Sequence, residues 1–110
     1  MARFMDHAEI LVRLETVIAG RLGGDSDASY VARLHAKGLG EIAQKVGEEA
    51  TETVIAALTG SDAELTGEAA DLLFHLVVLL GARGIALDAV LGELVRREGM
   101  SGIVEKAGRS

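Results

Sequence analysis

The chain has 110 residues, no cysteine and no proline, and a formal net charge of −6. That length supports one domain rather than two, and the lack of cysteine excludes a disulfide framework or a thiolate zinc site. The acidic balance excludes a non-specific nucleic-acid binder, which needs a basic surface to displace counterions.

Hydrophobic residues make up 49% of the chain but aromatics only 3%, so the core is aliphatic, and glycine and polar caps must break one element from the next. The first predicted helix covers residues 6–19, where Ile10, Leu11, Leu14, Val17 and Ile18 recur at helical spacing. Asp6 is expected to cap it and Gly20 to help end it. A polar, glycine-rich connection follows at Gly23-Gly24-Asp25-Ser26-Asp27; without a following Lys-Ser/Thr it is not a phosphate loop. Ser29 offers a cap for a short helical turn through Tyr30 and Leu34, which Gly38 and Gly40 interrupt. A long helix is expected over residues 41–58, ending at Gly60. Ser61-Asp62 restarts the chain into a helix over residues 63–82 that ends near Gly84. A last helix covers residues 87–97, with Asp88 in its first turn and Gly99 closing it before a small polar tail, residues 99–110.

No alternating strand pattern occurs, so the fold class is all-α: a bundle of four to five helices forming one domain over residues 1–110. Leu72, Leu73, Phe74, Leu76, Val77, Val78, Leu79 and Leu80 make the helix over residues 63–82 apolar nearly all round. So few helices can hardly cover it, and a homodimer is expected. The apolar run Leu76–Leu80 is far too short to span a bilayer, and no signal-peptide pattern opens the chain. A soluble, cytoplasmic protein is expected, binding neither membrane nor nucleic acid.

Against this aliphatic background the carboxylates stand out. Glu49 and Glu52 are three apart on one helix, as are Glu68 and Asp71 on the next. That spacing puts each pair on one face, close enough to share an ion but mutually repulsive without one. On a helical wheel Glu68 lies about 20° from Leu79 and about 40° from Leu72, inside the apolar arc. Glu49 lies about 20° from Ile42. Carboxylates turned inward must be paired, protonated or metal-bound. Lys45, within reach of Glu48 and Glu49, cannot neutralise Glu48, Glu49, Glu52, Glu68 and Asp71 together. An all-oxygen cluster suits a hard cation, Mg²⁺ or Mn²⁺, completed by substrate phosphates, and phosphoryl-group hydrolysis is the reaction class. One E-x-x-E pair is usually a solvated helix face; two on consecutive helices, one in the most apolar segment, single these residues out. Arg33, Lys37 and Lys45 are candidate phosphate contacts, Lys45 foremost. His75, four after Asp71, has the spacing to hydrogen-bond to it, but a helix surface or dimer contact is the place expected for it.

Ser29-Tyr30-Val31-Ala32-Arg33-Leu34, Lys37-Gly38, Lys45-Val46-Gly47-Glu48-Glu49-Ala50-Thr51-Glu52, and Glu68-Ala69-Ala70-Asp71-Leu72-Leu73-Phe74-His75-Leu76 resemble the signature blocks of the phosphoribosyl-ATP pyrophosphatase family. Ser101-Gly102-Ile103 with Glu105-Lys106-Ala107 is similar to tails in that family. The family lies within the all-α, MazG-like nucleotide pyrophosphatases, whose shared motif is E-x-x-E followed by E-x-x-D. The resemblance implies metal ligation by Glu49, Glu52, Glu68 and Asp71, with Glu48 as a nearby ligand or base. It implies Mg²⁺, a helical homodimer, and hydrolysis of phosphoribosyl-ATP to phosphoribosyl-AMP and pyrophosphate, the second step of histidine biosynthesis. Water would attack the α-phosphorus, and pyrophosphate would leave with its charge held by Mg²⁺ and Lys45. Lys45, Arg33, Lys37 and Tyr30 form the expected substrate-binding set, with Lys45, Glu48 and Glu49 catalytic. Arg33 stands where lysine is expected, and Phe74 where tyrosine is frequent. The chain is too short to include the cyclohydrolase fused to this domain elsewhere, and lacks its cysteines. The rival readings are a house-cleaning (d)NTP pyrophosphatase of the same superfamily and a non-catalytic helical dimerisation module.

Overall fold

The computed structural model describes residues 7–98. Among them it contains five helices and no strand: α1 (Ala8–Arg21), α2 (Tyr30–Lys37), α3 (Leu39–Thr59), α4 (Asp62–Ala82) and α5 (Leu87–Arg97). Asp6 and the tail from Gly99 onward, including the Ser101–Ala107 resemblance, lie outside the described residues.

Glycine proves a weaker breaker than the sequence suggests. α1 runs through Gly20 to Arg21, and the chain turns extended only at Leu22, whose N–H still bonds the Ile18 carbonyl at 3.0 Å. An interior glycine costs about 1 kcal/mol against alanine, a cost that burying Ile18 in the same turn offsets. Gly40 likewise sits inside the first turn of α3, which opens at Leu39. Gly38 is the true break. Its φ of 103° is open to glycine and strained for other residues, and α2 runs up to it, past Leu34 to Lys37. The Ser29 cap is formed: its hydroxyl accepts from the Ala32 N–H at 3.0 Å.

α3 and α4 are joined by Gly60 and Ser61 alone, so they fold back as antiparallel neighbours. Ser61 and Glu64 make a full capping box. The Ser61 hydroxyl accepts from the Glu64 N–H at 3.1 Å, and the Glu64 carboxylate accepts from the Ser61 N–H at 2.9 Å. The far end of α4 closes in a Schellman turn: Gly84, at φ 71°, bonds the Gly81 carbonyl, and the Ile85 N–H reaches back to Leu80.

The core lies where α1, α2, the start of α3 and the C-terminal half of α4 meet. It comprises Ile18, Val31, Leu34, Ile42, Val77 and Val78, with Leu14, Leu22, Phe74, Leu79 and Ala82 packed against it. Gly81 lets α1 close on α4, since a Cβ there would stand 3.0 Å from Leu22 Cδ1. As the sequence suggests, the helices of one chain leave part of α4 uncovered. Leu73 is 49% exposed and Leu76 is 36% exposed. By length and hydropathy α4 as a whole could cross a membrane, which Leu76–Leu80 alone did not indicate. Here it packs along α3 and α1 and bears Glu64, Glu68 and Asp71.

α5 begins at Leu87 after Ala86, which has no capping side chain. α1 supplies the acceptor instead: Glu15 Oε2 takes the Leu87 N–H at 2.7 Å, where a helix leaves its donors unpaired and favours negative charge. Glu15→Ala is therefore expected to lower stability by about 1 kcal/mol and to speed amide exchange in the first turn of α5. A urea midpoint and α5 exchange rates matching the unaltered protein would contradict this cap.

Candidate metal and nucleotide site

The acidic residues of α3 and α4 meet between the two helices. Glu49, Glu68 and Asp71 each offer a carboxylate oxygen, all within 4.8 Å of one another. They descend in burial from Glu49, only 6% exposed, through the half-buried Glu68 to the exposed Asp71. Glu49 Oε2 and Glu68 Oε2 are buried with no hydrogen-bond partner. Periodicity turned Glu49 and Glu68 inward, and the fold buries an oxygen of each; Asp71, placed on the same side of the wheel, is exposed.

Glu52 is not one of this trio but stands beside it. With Glu68 and Asp71 it lines a cleft of about 560 Å³ that extends along Ile55, Ala56, Thr59, Ala63, Glu64 and Gly67 toward the α3–α4 turn. One end of this cleft therefore carries three carboxylates, and the other mixes apolar residues with Thr59 and Glu64. Glu52 also borders a shallower groove on α3 with Gln44, Gly47, Glu48 and Thr51.

Lys45 is the cation placed against the cluster, with its ammonium 3.4 Å from Glu49 Oε1 and 3.6 Å from Glu48 Oε1. Desolvation works to lower its pKa, but the hydrogen bond to Glu49 and the charges of Tyr30, Glu49 and Glu48 outweigh it and raise the pKa above the usual 10.5. While its partner carboxylates are ionised, the group is charged in both the folded and unfolded chain below 10.5, so on the alkaline side what its ion pairs contribute is lost as pH rises through the raised value. Glu48, expected as a nearby ligand or base, is placed outside the trio. It is exposed, and its carboxylate is held below the usual range first by a 3.0 Å hydrogen bond from Gln44 and then, against some desolvation, by Lys45.

The α2 residues split. Arg33 is exposed and donates to the Ser26 carbonyl at 3.4 Å, and Lys37 is exposed at the end of the helix; neither lines the acid-walled cleft. Tyr30 instead reaches α4, its hydroxyl 2.8 Å from His75 Nε2. His75 is not the surface residue expected: it is 6% exposed, and its Nδ1 lies 2.8 Å from the Asp71 backbone carbonyl. Since a carbonyl only accepts, Nδ1 carries the proton and Nε2 accepts from the tyrosine. Tyr30 also stacks on Phe74, with centroids 6.3 Å apart. This strut joins α2 to the turn of α4 that bears Asp71. The His75–Asp71 spacing hinted at it, but the partner is the backbone, and nothing in the sequence marks Tyr30 as its far end.

Comparison with known proteins adds an independent line. The profile of a family described as phosphoribosyl-ATP pyrophosphohydrolase matches residues 11–98. A phosphoribosyl-ATP pyrophosphatase of Erythrobacter litoralis is 71% identical over 99 residues, 90% of this chain and 95% of the relative. That of Novosphingobium aromaticivorans is 67% identical over 106 residues, covering 96% and 99%. That of Trichlorobacter lovleyi is 58% identical over 100 residues, covering 91% and 93%.

The strut gives a direct test. Tyr30→Phe keeps the ring packing but leaves His75 Nε2 buried without a donor, an expected loss of about 1–3 kcal/mol in urea denaturation. An unchanged midpoint would mean that the bond contributes nothing.

Proposed function

The chain belongs to the phosphoribosyl-ATP pyrophosphohydrolase family, and on that premise we propose that the acids between α3 and α4 hold a divalent cation on which its reaction depends. Its activity is the hydrolysis of phosphoribosyl-ATP in histidine biosynthesis, with phosphoribosyl-AMP and pyrophosphate as products. Relatives this similar over nearly their full length carry that activity, and no observation favours a house-cleaning nucleotide hydrolase or a non-catalytic dimerisation module over it.

The observation that carries the metal reading is the pair of buried, unpartnered oxygens, Glu49 Oε2 and Glu68 Oε2. An ionised carboxylate is costly to bury without a partner, and Lys45 meets Glu49 only through its other oxygen. A cation between Glu49, Glu68 and Asp71, with Glu52 at its edge, supplies the missing partner. The donors are all oxygen, which suits Mg²⁺, with Mn²⁺ as a substitute. When bound, such an ion neutralises phosphate oxygens and makes water a better nucleophile.

The chain's own residues do the rest. Glu49, Glu68 and Asp71 would hold that ion at the acid end of the cleft, with Glu52 beside it. Lys45 is kept protonated by Glu49 and Glu48, and so presents a positive charge as pyrophosphate departs. Glu48 serves by holding Lys45 with Gln44, while Glu49 acts at the cluster itself. Tyr30 contributes by steadying the Asp71 turn through His75. Arg33 and Lys37 are the proposed phosphate contacts on the exposed side of α2.

We also assign a second copy of the chain to the uncovered apolar surface. Leu58 is 79% exposed on α3, near the exposed Val54, while Leu73 and Leu76 line α4. A surface of this kind marks an interaction site. The acidic, cysteine-free chain suits the cytoplasm, where this reading places it.

Glu49→Gln is expected to lower pyrophosphate release from phosphoribosyl-ATP by at least about a hundredfold, as losing a metal ligand should, while the helical spectrum stays intact. Mg²⁺ should raise the Tm of the unaltered protein, because binding the native state stabilises it, and should do so far less in the variant. Full turnover in folded Glu49→Gln would refute the site. Light scattering should give a mass of two chains, and Leu73→Asp should shift it toward the 11.5 kDa of one. A monomeric unaltered protein would refute the dimer.

A further inference from the structure

α4 carries a glycine at a point where nothing in the chain requires one. Glycine within a helix is destabilising because it frees the backbone and packs no side chain. Gly81 has a packing reason, the close approach of Leu22. Gly67 has none, for a Cβ built on it would meet nothing within 4 Å. Its backbone is helical, and its φ is not among the positive ones.

Gly67 does line the cleft between α3 and α4. Its neighbour in sequence, Glu68, belongs to the acid trio and has an oxygen buried without a partner. The cleft holds about 560 Å³, within the range of small-molecule sites. If the phosphates occupy its acid end, at Glu52, Glu68 and Asp71, the nucleoside portion must run along the remaining wall. That wall is formed by Ile55, Ala56, Ala63 and Gly67, with the polar Thr59 and Glu64 beside the α3–α4 turn.

We infer that Gly67 is a specificity-determining position, where the bare α4 backbone forms the floor on which the nucleoside portion of the substrate rests. A methyl group there would lift a ribose or base away from the helix while leaving the carboxylates in place. The helix gives up local stability at Gly67 in exchange for that close approach. The inference rests on the metal-site reading above and adds to it the direction in which the substrate extends.

The experiment compares Gly67→Ala with Gly92→Ala, each as the full chain with Mg²⁺. Gly92 is a fair control: it lies inside α5, is equally open around its Cβ, and lines none of the clefts described. Both variants should gain a few degrees in Tm, since alanine favours helix. Gly67→Ala alone should raise KM for phosphoribosyl-ATP by about tenfold or more, the scale of one misplaced methyl group, with kcat within about threefold. A KM in Gly67→Ala equal to that of Gly92→Ala overturns the inference, whatever happens to its oligomeric mass. A Gly67→Ala chain that fails to fold also overturns it, because the methyl would then be meeting something within the protein. Turnover dependent on Mg²⁺ in the unaltered protein does not depend on either glycine, so either failure leaves the metal site standing.

Discussion

Two carboxylate oxygens, one on Glu49 and one on Glu68, are buried between α3 and α4 with nothing to bond. Leaving a buried charge unmatched costs several kcal/mol, and a fold of this size is stable by only about 5–15 kcal/mol in all. The rest of the structure can be read as what holds these oxygens in place. The two-residue connection and the Ser61–Glu64 capping box fix α4 against α3 at one end. The aliphatic core around Ile42, Val77 and Val78 fixes it at the other. Between them, Tyr30 and His75 tie α2 to the carbonyl of Asp71.

α4 is thereby divided along its length. Its C-terminal half is core, sealed by α1 and closed by a Schellman turn at Gly84. Its N-terminal half is a wall of the cleft, carrying Gly67, Glu68 and Asp71. The division explains why so apolar a helix bears an acidic pair at all: the core half supplies stability, and the cleft half gives some of it up. The exposed Leu73 and Leu76 belong to the account of assembly rather than of one chain's core.

What the sequence made legible follows from how local each signal is. Periodicity gave the helices and turned Glu49 and Glu68 inward, because the position of a residue on a helix is set by spacing alone. Boundaries were read less well where glycine was taken as a stop. Gly20 and Gly40 continue their helices, since about 1 kcal/mol is easily outweighed by burial of Ile18 and Ile42 nearby. The S-x-x-E pattern at Ser61 was plain in the sequence and marks a capping box, though only the restart of the chain was taken from it. Glu15 capping α5 and Tyr30 reaching His75 could not be read at all, because both bonds join residues far apart in sequence. Glu48 and Glu49 are adjacent and alike, and it is their place on the helix that separates them: Glu49 shares the face of Ile42 and is buried, while Glu48 is exposed.

The claim on which the account turns is that a divalent cation fills the space between Glu49, Glu68 and Asp71. Anomalous diffraction from crystals grown with Mn²⁺ in place of Mg²⁺ addresses it directly. The account predicts a peak between α3 and α4, bonded by oxygens of Glu49, Glu68 and Asp71 at about 2.0–2.2 Å, near the distance Mg²⁺ takes. A crystal that binds Mn²⁺ only outside the trio, at Glu48 or elsewhere on the surface, would contradict it.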